Sequence, residues 1–296
     1  MLAGRFARKK KEKEKRMYTN IYDDFMIESG FSMNFPEHLY YYTDSKALIN
    51  ILENSEIWLT HVKYFNDGKE YYDGVDLIIN IIDQYKKILG NDLYVSLQSI
   101  FKNDQWKDKP LNVGVMSLSA QRDLLSQWRG YTKFGQGFCL GFKTSMFYSN
   151  DIKAYLRPCI YDDSKKIQIV EKIITKLLQK IEKEKKTIDE IWSEAFWLFQ
   201  ESAITFKNKA FSEEEEWRII TFPYPNNAKE WCFRSGNSTI IPYIKNYVNL
   251  KSCLDEVIIG PSQNQELSVN SLFFLMFKKD IWKNNINKSI IPYRNI

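Results

Sequence analysis

The sequence predicts an α+β fold, a mixed sheet with flanking helices and an inserted helical hairpin. Three observations carry that reading. Short aromatic and β-branched runs such as Leu39–Thr43 and Phe138–Phe142 lie between turn residues, as strands do. Other segments repeat apolar residues at helical spacing. Between Asp162 and Lys209 the pattern becomes two amphipathic helices around a charged break at 182–186. Apolar residues make up 44% and aromatics 15% of the 296, enough for a packed core.

The elements follow in order. Residues 1–16 hold a net +6 of the chain's +5, which leaves the remainder at −1, so the basic character belongs to a tail and not to the body. A mixed Lys/Glu tail holds phosphates weakly and is more often simply solvated. The tail lacks the apolar stretch and cleavage site of a secretory signal, and a cytoplasmic location is expected. Residues 1–36 are read as tail and irregular lead-in, and 37–296 as a single α+β domain.

Leu39–Thr43 is the first strand, and Asp44 or Ser45 caps a helix whose face is Ala47, Leu48, Ile51 and Leu52. Glu56–Thr60 is a second strand. After a turn at Phe65–Gly68, Val75, Ile78, Ile79, Ile82 and Leu89 keep helical spacing until Gly90 stops the helix. Asn112–Leu118 is a strand, with Ser119 placed to cap the helix through Leu124, Leu125 and Trp128. Phe138–Phe142 follows as another strand. In the hairpin, Val170, Ile173, Ile174 and Leu177 line one helix, and Thr187 with Glu190 forms a capping box that opens the next. Trp217–Phe222, Thr239–Ile241 and Glu256–Ile259 are strands, a helix lies around Leu272, and Ser289–Tyr293 is a last extended piece.

Several chemistries lack their residues. The two histidines, His38 and His61, do not make a His-rich zinc site, and no H-E-x-x-H, G-x-S-x-G or calcium loop is present. Gly130–Gln136 has the glycine spacing of a phosphate loop but carries Gln136 where lysine is needed. The four cysteines are far apart, with no C-x-x-C pair. No apolar run approaches the roughly 20 residues of a membrane span, so no membrane partner is expected.

What remains is carboxylate and aromatic chemistry. On a strand entering Trp217–Ile220, alternation puts Glu214, Glu216 and Arg218 on one face, with the two carboxylates roughly 6 to 7 Å apart. Such a pair either orients a ribose and activates a nucleophile or is a solvated acidic turn. Asn66-Asp67-Gly68 is a turn by composition, or, with Glu70, the lining of a cleft. Tyr131 is a core aromatic or a ring that stacks on a base.

Four clusters, Leu39–Thr43, Phe65–Glu70, Ser117–Ser119 running through Trp128–Tyr131 to Gly137–Phe142, and Glu214–Arg218, resemble in order and spacing the bacterial domain-of-unknown-function family twenty-nine seventy-one. The closing Val257–Pro261 and Ser289–Arg294 extend the resemblance over most of Leu39 to Arg294. The opening Tyr-x-Thr strand, the Ala-Leu-x-x-Ile-Leu helix and the second strand are similar to the start of ADP-ribosyltransferases. That resemblance implies a split sheet with NAD as substrate, held by Tyr41, Thr43, Asn66, Asp67, Glu70, Ser119 and Tyr131, with Glu216, Glu214 and Tyr41 catalytic. Tyr41 stands where many relatives carry a histidine. Implied partners are NAD and a nucleic-acid or protein acceptor, in a toxin or antiphage effector. Two other readings stay open: a magnesium nuclease gathering Asp67, Glu70, Glu214 and Glu216, and a non-catalytic sensor module of a defence locus.

Overall fold

The computed structural model describes residues 22–31, 34–65, 69–102, 112–132, 137–145, 154–236, 238–281 and 285–292. In chain order the first elements are helix α1 (22–28), β1 (His38–Thr43), α2 (Ser45–Asn54), β2 (Glu56–His61), α3 (Glu70–Gln84), α4 (Lys86–Lys102) and β3 (Gly114–Ser119). There follow α5 (Leu125–Tyr131), β4 (Phe138–Lys143), β5 (Ala154–Pro158), α6 (Asp163–Glu182), α7 (Ile188–Thr205) and β6 (Glu216–Thr221). The chain closes with β7 (Trp231–Ser235), β8 (Ile240–Tyr247), α8 (Leu250–Cys253), β9 (Leu254–Ile259), α9 (Gln265–Lys278) and β10 (Asn285–Lys288). They fall into two compact units, one built from 1–33, 62–112 and 159–210, the other from 34–61, 113–158 and 211–296.

The first unit is helical. The expected hairpin is present as α6 and α7, each capped as its sequence requires: the Asp162 carboxylate accepts from Lys165 N, and Thr187 and Glu190 form a reciprocal capping box. The hairpin packs with α3 and α4, so its apolar faces have helical partners. The helix from Glu70 ends earlier than expected, at Gln84, and a new helical stretch runs from Lys86 to Gly90. Gly90 stops that stretch as expected, at φ 71, and helical structure then resumes to Lys102. The lead-in also differs from expectation, because Tyr22, Phe25 and Met26 are buried on one side of α1.

Helices α3 and α7 meet at a glycine. A Cβ on Gly74 would lie 2.8 Å from the carbonyl oxygen of Ala203, so the side chain that favours a helix elsewhere is excluded here. Nearby, Tyr71 donates to Gln200 Oε1 across the same pair of helices at 2.5 Å. Gly74→Ala is expected to cost about 1–3 kcal/mol through overpacking, despite alanine's better propensity. The urea midpoint checks it, and an unchanged or raised midpoint would show that the helices can move apart freely.

Among the described residues, the second unit holds ten strands in one mixed, open sheet. Its main path runs β10-β9-β4-β1-β3-β2-β8-β7, and β6 with β5 adds to β3. Every pairing is antiparallel except β9 with β10. The strands expected from sequence are present, and β8 is longer than the Thr239–Ile241 segment. The last extended piece lies at Asn285–Lys288 instead of Ser289–Tyr293, whose Tyr293 is outside the described residues. Strands β5 and β7 are additions to the sequence reading.

Strand period sorts the two faces. Leu39, Ile57, Leu59, Leu118, Leu140, Ile219 and Val257 enter a core covered by α2 and by Leu272 and Met276 of α9. Tyr40, Tyr42, Cys139 and Ile258 point the other way and pack with Trp128 of α5. Helix α2 ends with Ser55 in the left-handed region (φ 53), where the chain turns directly into β2.

The edges of β3 are used unevenly. Strand β6 runs along one edge, pairing Val115 through Ser119. The other edge meets β2 at Gly114 and Val115 and meets β1 at Ser119. Strands β1 and β2 therefore diverge from a shared edge, with Ser117 midway along the fork.

Candidate functional site

Glu216 opens β6 and is 4% exposed. Its Oε1 accepts from Ser117 Oγ at 2.6 Å and from Arg218 Nε at 2.6 Å. The expected alternation of Glu216 and Arg218 onto one face is thus present, and the register adds Ser117 and Ser119 of β3 to that face. Arg157 of β5 lies directly across from Arg218 and is 3% exposed, so a second guanidinium joins the same strip. Its charge stacks over the Tyr155 ring at 4.7 Å.

Glu214 does not share this arrangement. It ends a 3-10 turn, Lys209–Glu214, and Glu215 has φ 41, a left-handed backbone that stops the strand from starting earlier. The carboxylate spacing expected from strand rise does not apply, because residues 214 and 216 are not on one strand. The peptide oxygen of Glu214 accepts from Ser119 Oγ at 2.6 Å.

Ser119 is not the helix cap either. Its hydroxyl accepts from Gln121 N at 2.9 Å, and α5 begins at Leu125 with no side-chain cap. Tyr42 serves instead, donating to Gln121 O at 2.7 Å and accepting from Leu124 N at 3.0 Å.

On β1, the pairing of Tyr40 with Ser119 puts Tyr40 on the face of Glu216. Tyr41 and Thr43 therefore fall on the opposite face. Tyr41 packs beside the main core, and burial raises its phenol pKa, opposed by a hydrogen bond to Thr43 and by the charge of Arg234. Thr43 is itself buried. Strand period thus puts Tyr40, and not Tyr41, on the face of Glu216, with Ser119 of β3 between them.

Tyr40 leads to a cluster that sequence reading missed. Its phenol is pushed up to about 12, first by burial and then by the Glu256 carboxylate to which it bonds. Glu256 of β9 is gripped in two places by Arg122, Nε to Oε1 at 2.8 Å and Nη2 to Oε2 at 2.6 Å, and accepts from Asn287 Nδ2 at 2.7 Å. Gly141 makes room for them, since a Cβ there would lie 2.9 Å from Glu256 Cγ and 3.0 Å from Tyr40 Cε1. Arg122 and Glu256 are 134 residues apart, so no local pattern links them.

Glu70 opens α3 in the helical unit, ion-paired to Lys207 at 3.1 Å. Tyr131 ends α5 and is 39% exposed. Asn66, Asp67 and the basic segment 1–16 lie outside the described residues. Among the described residues, no three His, Cys, Asp or Glu side chains gather as a metal site would require, and no helix is long and apolar enough to cross a membrane.

No curated protein and no solved structure matches the chain. Residues 127–219, which carry Trp128, Arg157 and the Glu216–Arg218 pair, match the family described as "Protein of unknown function (DUF2971)", and the family resemblance read from the sequence is shown by that segment.

Proposed function

We propose that this chain consumes NAD, passing ADP-ribose to a nucleic acid or a protein or hydrolysing NAD with water, as a bacterial toxin or antiphage defence effector. One observation supports the reading: the Glu216 carboxylate is fixed by Ser117 and Arg218 beside the fork in the sheet. A preorganised negative charge shielded from water stabilises positive charge developing on a ribose as nicotinamide departs, without having to reorient. Ser117 and Arg218 act as positioning residues for it. Arg234, which donates to Thr60 Oγ1 at 3.2 Å, offers a cation suited to a pyrophosphate.

The burial of the Glu216–Arg218 pair supports a second reading, a non-catalytic sensor module in which the pair only joins β3 to β6. Labelled NAD incubated with the protein and cell lysate separates the two. The informative variant is Glu216→Gln with Arg218→Met, which removes both charges together and leaves neither one alone. If wild type consumes label and the folded double variant is slowed by about 10²-fold or more, the carboxylate has the catalytic role. A folded double variant that turns over NAD at the wild-type rate refutes it. A wild-type protein that neither consumes NAD nor melts differently in its presence favours the sensor module.

A further inference from the structure

Helix α9 is apolar nearly all the way round. Leu272 and Met276 enter the core, yet the opposite side exposes Leu267 (68%), Phe273 (45%), Phe274 (73%) and Phe277 (61%). A helix apolar on every side is ordinarily covered on every side. Leu267, Phe274 and Phe277 recur at helical spacing with the polar Asn270 between Leu267 and Phe274, so the exposed residues lie along one stripe of the helix.

We propose that this stripe is a two-fold interface in which α9 packs antiparallel against α9 of a second copy of this chain. Two features select a second copy. The first is charge: Glu266 and Lys278 lie twelve positions apart at the two ends of the stripe, both exposed. A two-fold centred near Leu272 sets Glu266 of one copy against Lys278 of the other, twice, and sets Leu267 against Phe277. Antiparallel packing also opposes the helix dipoles favourably. The second is area. Aromatic side chains bury about 150–250 Å² each, and at the fractions still exposed the three phenylalanines with Leu267 offer about 500 Å² per copy, so the pair reaches the roughly 1,000 Å² that a specific interface needs. A self-complementary patch of this kind is what an isologous contact needs.

The mass of the full chain in solution, measured by light scattering or sedimentation across a concentration series, tests the proposal. Wild type is expected to show twice the chain mass, and Phe274→Glu to show one chain mass with an unchanged circular dichroism spectrum. Glu266→Lys and Lys278→Glu should each weaken the dimer about tenfold or more, and the combined reversal should restore it. Restoration is the decisive arm, because Glu266 also bonds Lys288 of its own chain at 2.6 Å, and loss of that bond alone would not be repaired by Lys278→Glu. A wild-type protein that stays at one chain mass throughout the series overturns the proposal. So does a dimer whose mass is indifferent to Phe274→Glu.

Discussion

Glu216→Gln will destabilise the protein by about 3–5 kcal/mol, and more than Arg218→Met will, because it breaks a buried ion pair and removes the carboxylate on which both Ser117 and Arg218 converge. The order follows from Arg157. Arg157 and Arg218 face each other across β5 and β6, both almost fully buried, and like charges directly opposite repel. Deleting the Glu216 carboxylate removes a negative charge from beside two facing guanidiniums, whereas deleting Arg218 removes one of the two like charges. The double change should recover most of the loss, since neutral side chains of similar volume often replace a buried pair at little cost. Urea midpoints of the three variants check the order. Equal small shifts for both single changes would mean that the pair contributes little to the fold.

Trp128→Ala will cost about 3–5 kcal/mol, the range for truncating a large buried aromatic. Trp128 is fully buried, meets Tyr42 edge-on with centroids 4.8 Å apart, and lies against Gly260, where a Cβ would come within 2.8 Å of its ring. Its indole donates to Asp123 Oδ1 at 2.7 Å. The same carboxylate accepts from Ser289 Oγ at 2.7 Å and from Ile290 N at 3.0 Å, so Asp123 joins α5 to the segment after β10. Trp128→Phe keeps most of the packing and loses one bond of that hub, which should cost about 1–3 kcal/mol. Thermal melts of the two variants, with hydrogen exchange at Ile290, separate packing from tethering: only the Ala variant should lower the melting temperature severely, while both should speed exchange at Ile290.

Local signals in the sequence were legible where the chemistry is local. Asp44 caps α2, Thr187 and Glu190 box the start of α7, and Glu216 and Arg218 alternate onto one face, all readable over two or three residues. Strand β7 was hidden because it is partly exposed throughout and lacks clean alternation, and β5 because its five residues include an arginine and end in proline. Helix α1, at seven residues, is shorter than the window in which periodicity speaks. Glu214 was misplaced because a run of glutamates gives no sign of the left-handed Glu215. Tyr41 and Tyr40 differ by one residue, and in a strand one residue is a change of face, so the register that sets Tyr40 on the side of Glu216 was not legible. The Arg122–Glu256 grip was beyond reach, since it depends on the pairing of β9 with β4 and not on any neighbour in sequence.

The alternation of the two units along the chain has a consequence for synthesis. The polypeptide passes from one unit to the other five times, so neither unit is a contiguous fragment that could be expressed alone. The helical unit has all its segments once residue 210 has emerged from the ribosome, but the sheet does not. Strands β1 to β5 must wait for β6, β8 and β9, with Leu39, Ile57, Leu118 and Leu140 lacking their final cover in the meantime. Long-range pairing of this kind slows folding and leaves strand edges open to other chains. The nascent protein is therefore most vulnerable to aggregation late in translation, and slower elongation through the first two thirds would lengthen that exposure without completing the sheet.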